Sequence, residues 1–345
     1  MVSLSPTPET ETELDDLLAL PTERLIAFFR GLEGDLLILG VGGKMGHTVA
    51  AMAVRAVIAS GRARRVIGVS RFTDSESRQR LEKAGVETLA CDLLDPDALS
   101  RLPLCPNVIF MAGRKFGTGG SEPLTWAMNT IVPGNIARHF AGSRIVAFST
   151  GCVYPFVSAD SGGSLETDPP GPTGEYAQSC LGRERIFEHY SRSQGTPVCL
   201  YRLNYAIDLR YGVLHDIAWR IWEGQPVDLT MGLFNCIWQG DAAERALLCL
   251  GIADSPAVPL NVTGPEALST RTVAEQLARL LASPVYFAGE PGPTAWLANA
   301  CESTRRFGPP RIDPDPMIRW QAEWIRRGGR SLNKPSHFEV KSGKF

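Results

Sequence analysis

The run Gly40-Val41-Gly42-Gly43-Lys44-Met45-Gly46 is the part of the chain whose residue types and spacing speak most directly of chemistry. One glycine allows a tight turn, one lets backbone N–H groups approach a phosphate, and one lets a following helix pack closely on a preceding strand. With Gly42, Lys44 and Met45 between them, Gly40, Gly43 and Gly46 are expected to cradle the pyrophosphate of a nicotinamide dinucleotide. An acidic residue after the second strand would accept the adenosine ribose hydroxyls, but Ser70 and Arg71 stand there. A hydroxyl and a guanidinium suit a 2′-phosphate, which leans the choice towards NADP with NAD as the alternative. A solvated loop charge is the other reading of Arg71.

Such a turn has this meaning only between a strand and a helix, and both are written into the sequence. Short apolar, β-branched runs at 36–41, 66–69, 86–90, 108–112 and 145–148 alternate with helical patterns at 45–60, 75–84, 95–102 and 124–140. A sixth strand at 198–203 follows a helix at 176–194. This alternation predicts an α/β fold, a Rossmann-type doubly wound parallel sheet with helices on both faces and a smaller C-terminal substrate lobe. Residues 1–34 read as an N-terminal helical extension, with 11–34 as one helical lead-in. Residues 35–204 form the dinucleotide-binding domain. Residues 205–345 form mainly the substrate lobe and tail, with 236–265 returning to the Rossmann sheet.

From about Asp35 to Ala282 the chain resembles the extended short-chain dehydrogenase/reductase family, of the NAD-dependent epimerase/dehydratase type. Gly40, Gly43 and Gly46 fit its glycine turn, and Asp92-Leu93 is similar to the acidic-apolar pair that contacts adenine. Ala112-Gly113 resembles the small pair beside the cofactor, and Asn129 the active-site helix asparagine. Ser149-Thr150-Gly151-Cys152-Val153-Tyr154 and Glu175-Tyr176-Ala177-Gln178-Ser179 resemble the two catalytic segments. The resemblance implies that Tyr176 exchanges the proton on a substrate oxygen, Thr150 orients that oxygen and Asn129 orders water nearby. Tyr176 also lies against the cofactor, as does Asn204, with Tyr205 as its rival for that place.

The departure is at Cys180, where the family's Tyr-x-x-x-Lys motif places lysine. A nearby cation lowers a phenol pKa by about 1–3 units. Without it about one tyrosine in a thousand is phenolate at neutral pH. Three readings follow. Lys115, just past the fourth strand, substitutes as the cation; Tyr176 works as a neutral acid; or the dinucleotide is bound without turnover. Gly151 and Cys152 replace the Asp-Glu pair of the family's dehydratases, which disfavours dehydration and leaves epimerisation or carbonyl/alcohol redox.

The 345 residues are 44% apolar and 21% charged, with a net charge of −2. That is a soluble globular composition, with no reason to expect nucleic acid or membrane as partner. The acidic, Pro/Thr-rich first residues are unlike a leader, so a cytoplasmic chain is expected. The eight cysteines and five histidines are scattered, and no metal site is expected. All cysteines but Cys180 are read as buried small hydrophobes, and Cys180 itself as a packing residue. Arg210 and Tyr211 are placed in a loop that could meet substrate, and Trp238, on a late strand, is read as a buried residue with stacking on a sugar or base as the alternative. His337 lies in a C-terminal stretch read as a solvated tail or a dimer arm, with a reach back into the site as the alternative. The expectation is an NAD(P)-dependent oxidoreductase or epimerase acting on a carbohydrate-like hydroxyl or ketone, with a non-catalytic dinucleotide sensor or scaffold as the rival. A homodimer through helices near 124–140 and 176–194 is implied by the resemblance alone.

Overall fold

The computed structural model describes residues 7–115 and 120–343, so expectations for the first six and last two residues lie outside the described residues. Two helices come first, α1 (Glu11–Leu18) and α2 (Glu23–Gly31), rather than the single lead-in expected. The break is at Pro21-Thr22, where the Thr22 hydroxyl accepts from the Leu25 amide and starts α2 afresh.

The chain then winds through β1 (Leu36–Leu39), α3 (Gly46–Ser60), β2 (Val66–Ser70), α4 (Ser75–Lys83), β3 (Glu87–Ala90), α5 (Pro96–Ser100) and β4 (Asn107–Phe110). It continues through α6 (Glu122–Trp126), α7 (Val132–His139), β5 (Arg144–Thr150), α8 (Gly174–Gln194), β6 (Val198–Leu203) and α9 (Val213–Trp222). Then follow α10 (Gln239–Leu248), β7 (Val258–Val262), α11 (Thr270–Leu281), α12 (Cys301–Phe307) and α13 (Pro314–Arg326). The seven strands form one sheet in the order β7-β6-β5-β4-β1-β2-β3, and every pairing is parallel. This is the doubly wound Rossmann architecture. All four residues of β1 are fully buried, as a strand covered on both faces requires.

Apolar side chains of α2, α3 and α10 pack on one face of the sheet. Those of α5, α7 and α8 cover the other. A third cluster builds the smaller lobe from α9, α11, α13 and two-stranded ribbons, and it takes in Leu14 and Leu18 of α1. The strand β7 lies at the edge of the main sheet, beside β6. A five-residue π turn, Ala127–Ile131, joins α6 to α7. Pro133 in the first turn of α7 has no N–H to offer, which favours the wider turn there.

A buried polar network ties β5, β6 and β7 to α8. Arg202 donates to both carboxylate oxygens of Glu184, at 3.0 and 2.7 Å, and both side chains are at most 4% exposed. Glu184 also accepts from Ser149, and Arg202 donates to the Tyr154 hydroxyl at 2.6 Å. That hydroxyl donates onward to Asn261. Removing one partner strands the other's charge in a dry site. Arg202→Met is therefore expected to cost about 3–5 kcal/mol in urea unfolding, and the Arg202→Met/Glu184→Leu double variant to recover part of that loss.

Candidate functional site

The glycine turn leaves β1 and closes on α3. Gly40 has φ +87°, and a Cβ there would stand 2.6 Å from the Ala112 amide nitrogen. A Cβ on Gly46 would stand 2.0 Å from the Val41 carbonyl oxygen, so helix and strand meet there without room for a side chain. Gly42 and Gly43 are exposed, and α3 begins with no side chain capping its first amides. Open backbone at a helix N-terminus fits the phosphates of a dinucleotide. Ser70 lies directly under this turn, its hydroxyl 2.8 Å from where a Gly42 Cβ would be. Arg71 beyond it is exposed. At the same end of the sheet Asp92 is exposed and accepts from the Leu94 amide, while Leu93 is buried.

Lys44 reaches out of the turn towards the smaller lobe, its Nζ 3.2 Å from the centre of the Tyr211 ring. Burial pulls its pKa down to about 7, with Lys115 and Lys334 pushing the same way and Asp216 and Asp208 opposing.

The loop after β4 is held by Asn129, which sits in the π turn. Its Oδ1 accepts from the Arg114 amide at 3.0 Å and its Nδ2 donates to the Arg114 carbonyl at 3.1 Å. The same side chain accepts from Arg183 at 2.6 Å and donates to Ser179 at 2.9 Å. Asn129 is thus a clamp on the Ala112-Gly113-Arg114-Lys115 segment, where water ordering was expected. Arg183 also packs against Gly113, within 2.3 Å of where its Cβ would be. Sequence reasoning missed Arg183; its place three residues after Cys180 on α8 is the only signal it left.

Clamped in this way, Lys115 lies with its Nζ 5.9 Å from the Tyr176 ring centre. Burial lowers its pKa, against the pull of Cys152, Cys180 and Asp216. Tyr176 is in the first turn of α8, and burial beside the Cys180 and Cys152 thiols raises its phenol well above its ordinary value. Thr150 ends β5, and its Oγ1 accepts from the Cys152 amide at 3.2 Å, leaving its own proton to donate outward. The structure therefore gathers Thr150, Tyr176 and Lys115 around the buried thiols of Cys152 and Cys180.

From the smaller lobe come Tyr205, Tyr211 and Asp216. Tyr205 adopts φ +45°, a conformation unfavourable for a side chain with a Cβ, and burial raises its phenol too. Asn204, by contrast, is buried and donates to Asn235 at 2.8 Å, in support of the loop after β6. Asp216, which no motif marked, acts on both Lys44 and Lys115. Its carboxylate accepts from the Ser336 amide at 2.7 Å and from the Ser336 hydroxyl, and burial raises its pKa. Ser336 belongs to a strap, residues 331–343, that crosses the lobe with Phe338 buried and Gly343 against the backbone of Thr173 and Gly174. His337 rides on this strap with φ +56°.

Two further expectations are settled by burial. Trp238 is 1% exposed and stands edge-on to Trp320, so it is core. Cys301, at the start of α12, is exposed, which corrects its reading as a buried hydrophobe. Among the described residues no group of three metal-ligating side chains comes together, and no helix is long and apolar enough to cross a membrane.

The sequence profile of the NAD dependent epimerase/dehydratase family matches residues 36–207, and the chain belongs to that family. Among solved structures it is similar to the UDP-glucose 4-epimerase of Thermus thermophilus in complex with NAD, at 21% identity and a TM-score of 0.68 over 85% of this chain and 99% of that one. It is similar also to dTDP-glucose 4,6-dehydratase from Bacillus anthracis in complex with NAD, at 15% identity and a TM-score of 0.70 over 86% and 97% of the two chains. A third is the Thermotoga maritima UDP-glucose 4-epimerase with UDP-glucose, at 16% identity and 0.69 over 85% and 99%. These likenesses establish the shared fold. No curated protein matches the sequence.

The glycines differ in what they tolerate. Gly46→Ala puts a methyl group onto the Val41 carbonyl and is expected to cost about 2 kcal/mol or more. Gly43→Ala meets only the Gly40 carbonyl oxygen, at 3.4 Å, and is expected to unfold within about 0.5 kcal/mol of the parent. Thermal unfolding of the two variants side by side checks this.

Proposed function

We propose that the protein is an NAD(P)-dependent enzyme that interconverts a hydroxyl and a ketone on a carbohydrate-like substrate, as an epimerase or a simple oxidoreductase. The carrying observation is that Lys115 stands over Tyr176 beside Thr150, at the end of the sheet where the glycine turn opens. Sugar nucleotides of the kind named for the similar structures are the first substrates to try. The dinucleotide would rest on Gly40, Gly42, Gly43, Lys44, Met45 and Gly46, with its adenosine end towards Ser70, Arg71, Asp92 and Leu93. Ala112 and Gly113 would flank its nicotinamide half. Ser70 and Arg71 favour NADP over NAD.

A bound nicotinamide would accept a hydride from the substrate carbon and, in an epimerase, give it back to the opposite face. The chain's own part is the proton. Burial favours the protonated Tyr176 phenol, which in the ketone-reducing direction gives its proton to the substrate oxygen and becomes phenolate. In the alcohol-oxidising direction the phenolate takes the hydroxyl proton back, and in both Thr150 donates a second hydrogen bond to the same atom. Lys115 supplies the positive charge that position 180 lacks, so that negative charge forming on that oxygen is countered in a largely dry site. Cys180 is fully buried and packs against Val153 and Tyr154. The rival reading, a dinucleotide sensor without turnover, draws on the same raised phenol pKa.

Product analysis with NAD and NADP over a panel of sugar nucleotides tests the enzyme reading. Tyr176→Phe is expected to lower turnover at least ~100-fold with dinucleotide binding intact, and Lys115→Met to do likewise. Binding without turnover across the panel would favour the sensor.

Binding should also take up protons. A pyrophosphate beside Lys44 raises that amine from its pKa of about 7, so affinity should fall as pH rises above 7. Calorimetry in buffers of different ionisation enthalpy should show uptake of up to about one proton, abolished in Lys44→Met.

The exposed Leu124 and Ile131, on the helices preceding and forming the π turn, suit a homodimer. Ile131→Asp is then expected to give monomers in light scattering.

A further inference from the structure

We propose that Asp15 on α1 is a positioning residue for the dinucleotide turn: through Arg210 it holds Tyr211 against Lys44 and so clasps the smaller lobe to the glycine turn. This rests on the dinucleotide reading above. It concerns a helix that lies before the family-matched residues 36–207.

The helix α1 has two working faces. Leu14 and Leu18 are fully buried in the core of the smaller lobe. The flank beside them carries the half-buried carboxylates of Glu11 and Asp15, and Asp15 accepts from Arg80 of α4 at 2.8 Å and from Arg210 at 2.9 Å. One residue therefore joins a Rossmann helix to a loop of the other lobe. The Arg210 side chain is only 8% exposed, and its remaining edge is held by Asp208 at 2.9 and 2.8 Å. Asp15 and Asp208 fix the guanidinium plane from two sides, which is the geometry that orients arginine most strictly, and Glu11 of α1 adds a third, longer ion pair at 3.6 Å.

The lever from Arg210 to the turn is short. Asp208 and Tyr211 exchange reciprocal backbone hydrogen bonds, the Tyr211 amide to the Asp208 carbonyl at 2.8 Å and the Asp208 amide back at 3.2 Å. Residues 208–211 are therefore one rigid turn, and Tyr211 cannot move apart from Arg210. The Tyr211 ring is the surface on which the Lys44 ammonium rests. A second tie runs from Asp208 through Gln239, which donates to the Thr48 hydroxyl of α3 at 3.0 Å. Both ties end in the first turn of α3 or in the glycine turn before it, where phosphate would be held.

Asp15 is itself 39% exposed, so its ion pairs add little to folding stability. Their effect is on where Tyr211 stands. Loss of the Asp15 charge should free the 208–211 turn, expose Lys44 and speed dinucleotide release.

The experiment compares full-length variants by calorimetry and stopped-flow with NAD and NADP. Asp15→Asn is expected to raise the Kd about tenfold, mostly through faster dissociation, and Asp15→Glu to restore most of the affinity. Asp16→Asn is the control, because Asp16 pairs with Arg55 of α3 and not with Arg210, and it should stay within about twofold. Asp15→Asn that binds like the parent, or Asp16→Asn that loses as much, overturns the clasp and leaves the dinucleotide reading standing. A parent protein that binds neither dinucleotide overturns both.

Discussion

The ion pair of Glu184 with Arg202 is the constraint on which the rest of the site depends. Each group is buried, and each is acceptable there only because the other answers its charge. Since Glu184 belongs to α8 and Arg202 to β6, the pair fixes the helix that carries Tyr176 against the sheet that carries Thr150. Ser149 binds the same carboxylate, so the strand residue before Thr150 is fixed by the same bond set. The placement of Tyr176 relative to Thr150 follows from a polar core as well as from the apolar one around it.

A second constraint works on the loop after β4. A side-chain amide in a helix pairs with both backbone groups of Arg114, as a neighbouring strand would. On the proposed reading, this is how a lysine on a loop would stand in for one on a helix. The charge near Tyr176 depends on the place where an amine is delivered, and Asn129 makes that place reproducible. The thiol at position 180 is then free to be an apolar filler among Val153 and Tyr154.

Much of this was readable from the sequence, for a physical reason. The strands of a covered parallel sheet are largely apolar, and 36–39 and 66–69 announce themselves by composition, as does 198–203 apart from its one buried arginine, Arg202. The glycine turn is equally local, because its geometry excludes Cβ atoms at fixed spacing. The break between α1 and α2 at Pro21-Thr22 was missed by the expectation of one lead-in, although its signal, a cap preceding a new apolar stripe, is local. Arg183, Asp216 and the division of labour between Asn204 and Tyr205 were not legible. Each depends on partners far away in the chain, such as Ser336 for Asp216 and Asn129 for Arg183, and no local period encodes such a pairing. Tyr205 adds a left-handed backbone that its side chain disfavours, so only tertiary packing could have chosen it.

The contact of Gly343 with Thr173 and Gly174 has a consequence for the order in which the molecule is made. The first turn of α8, where Tyr176 sits, is closed by a backbone segment that leaves the ribosome about 170 residues later, at a few residues to about twenty per second. The Rossmann half can collapse long before that. On the proposed reading, its glycine turn would then be complete on the nascent chain while the wall beside the tyrosine was still missing, so such a chain would take up dinucleotide before it could shield a substrate from water.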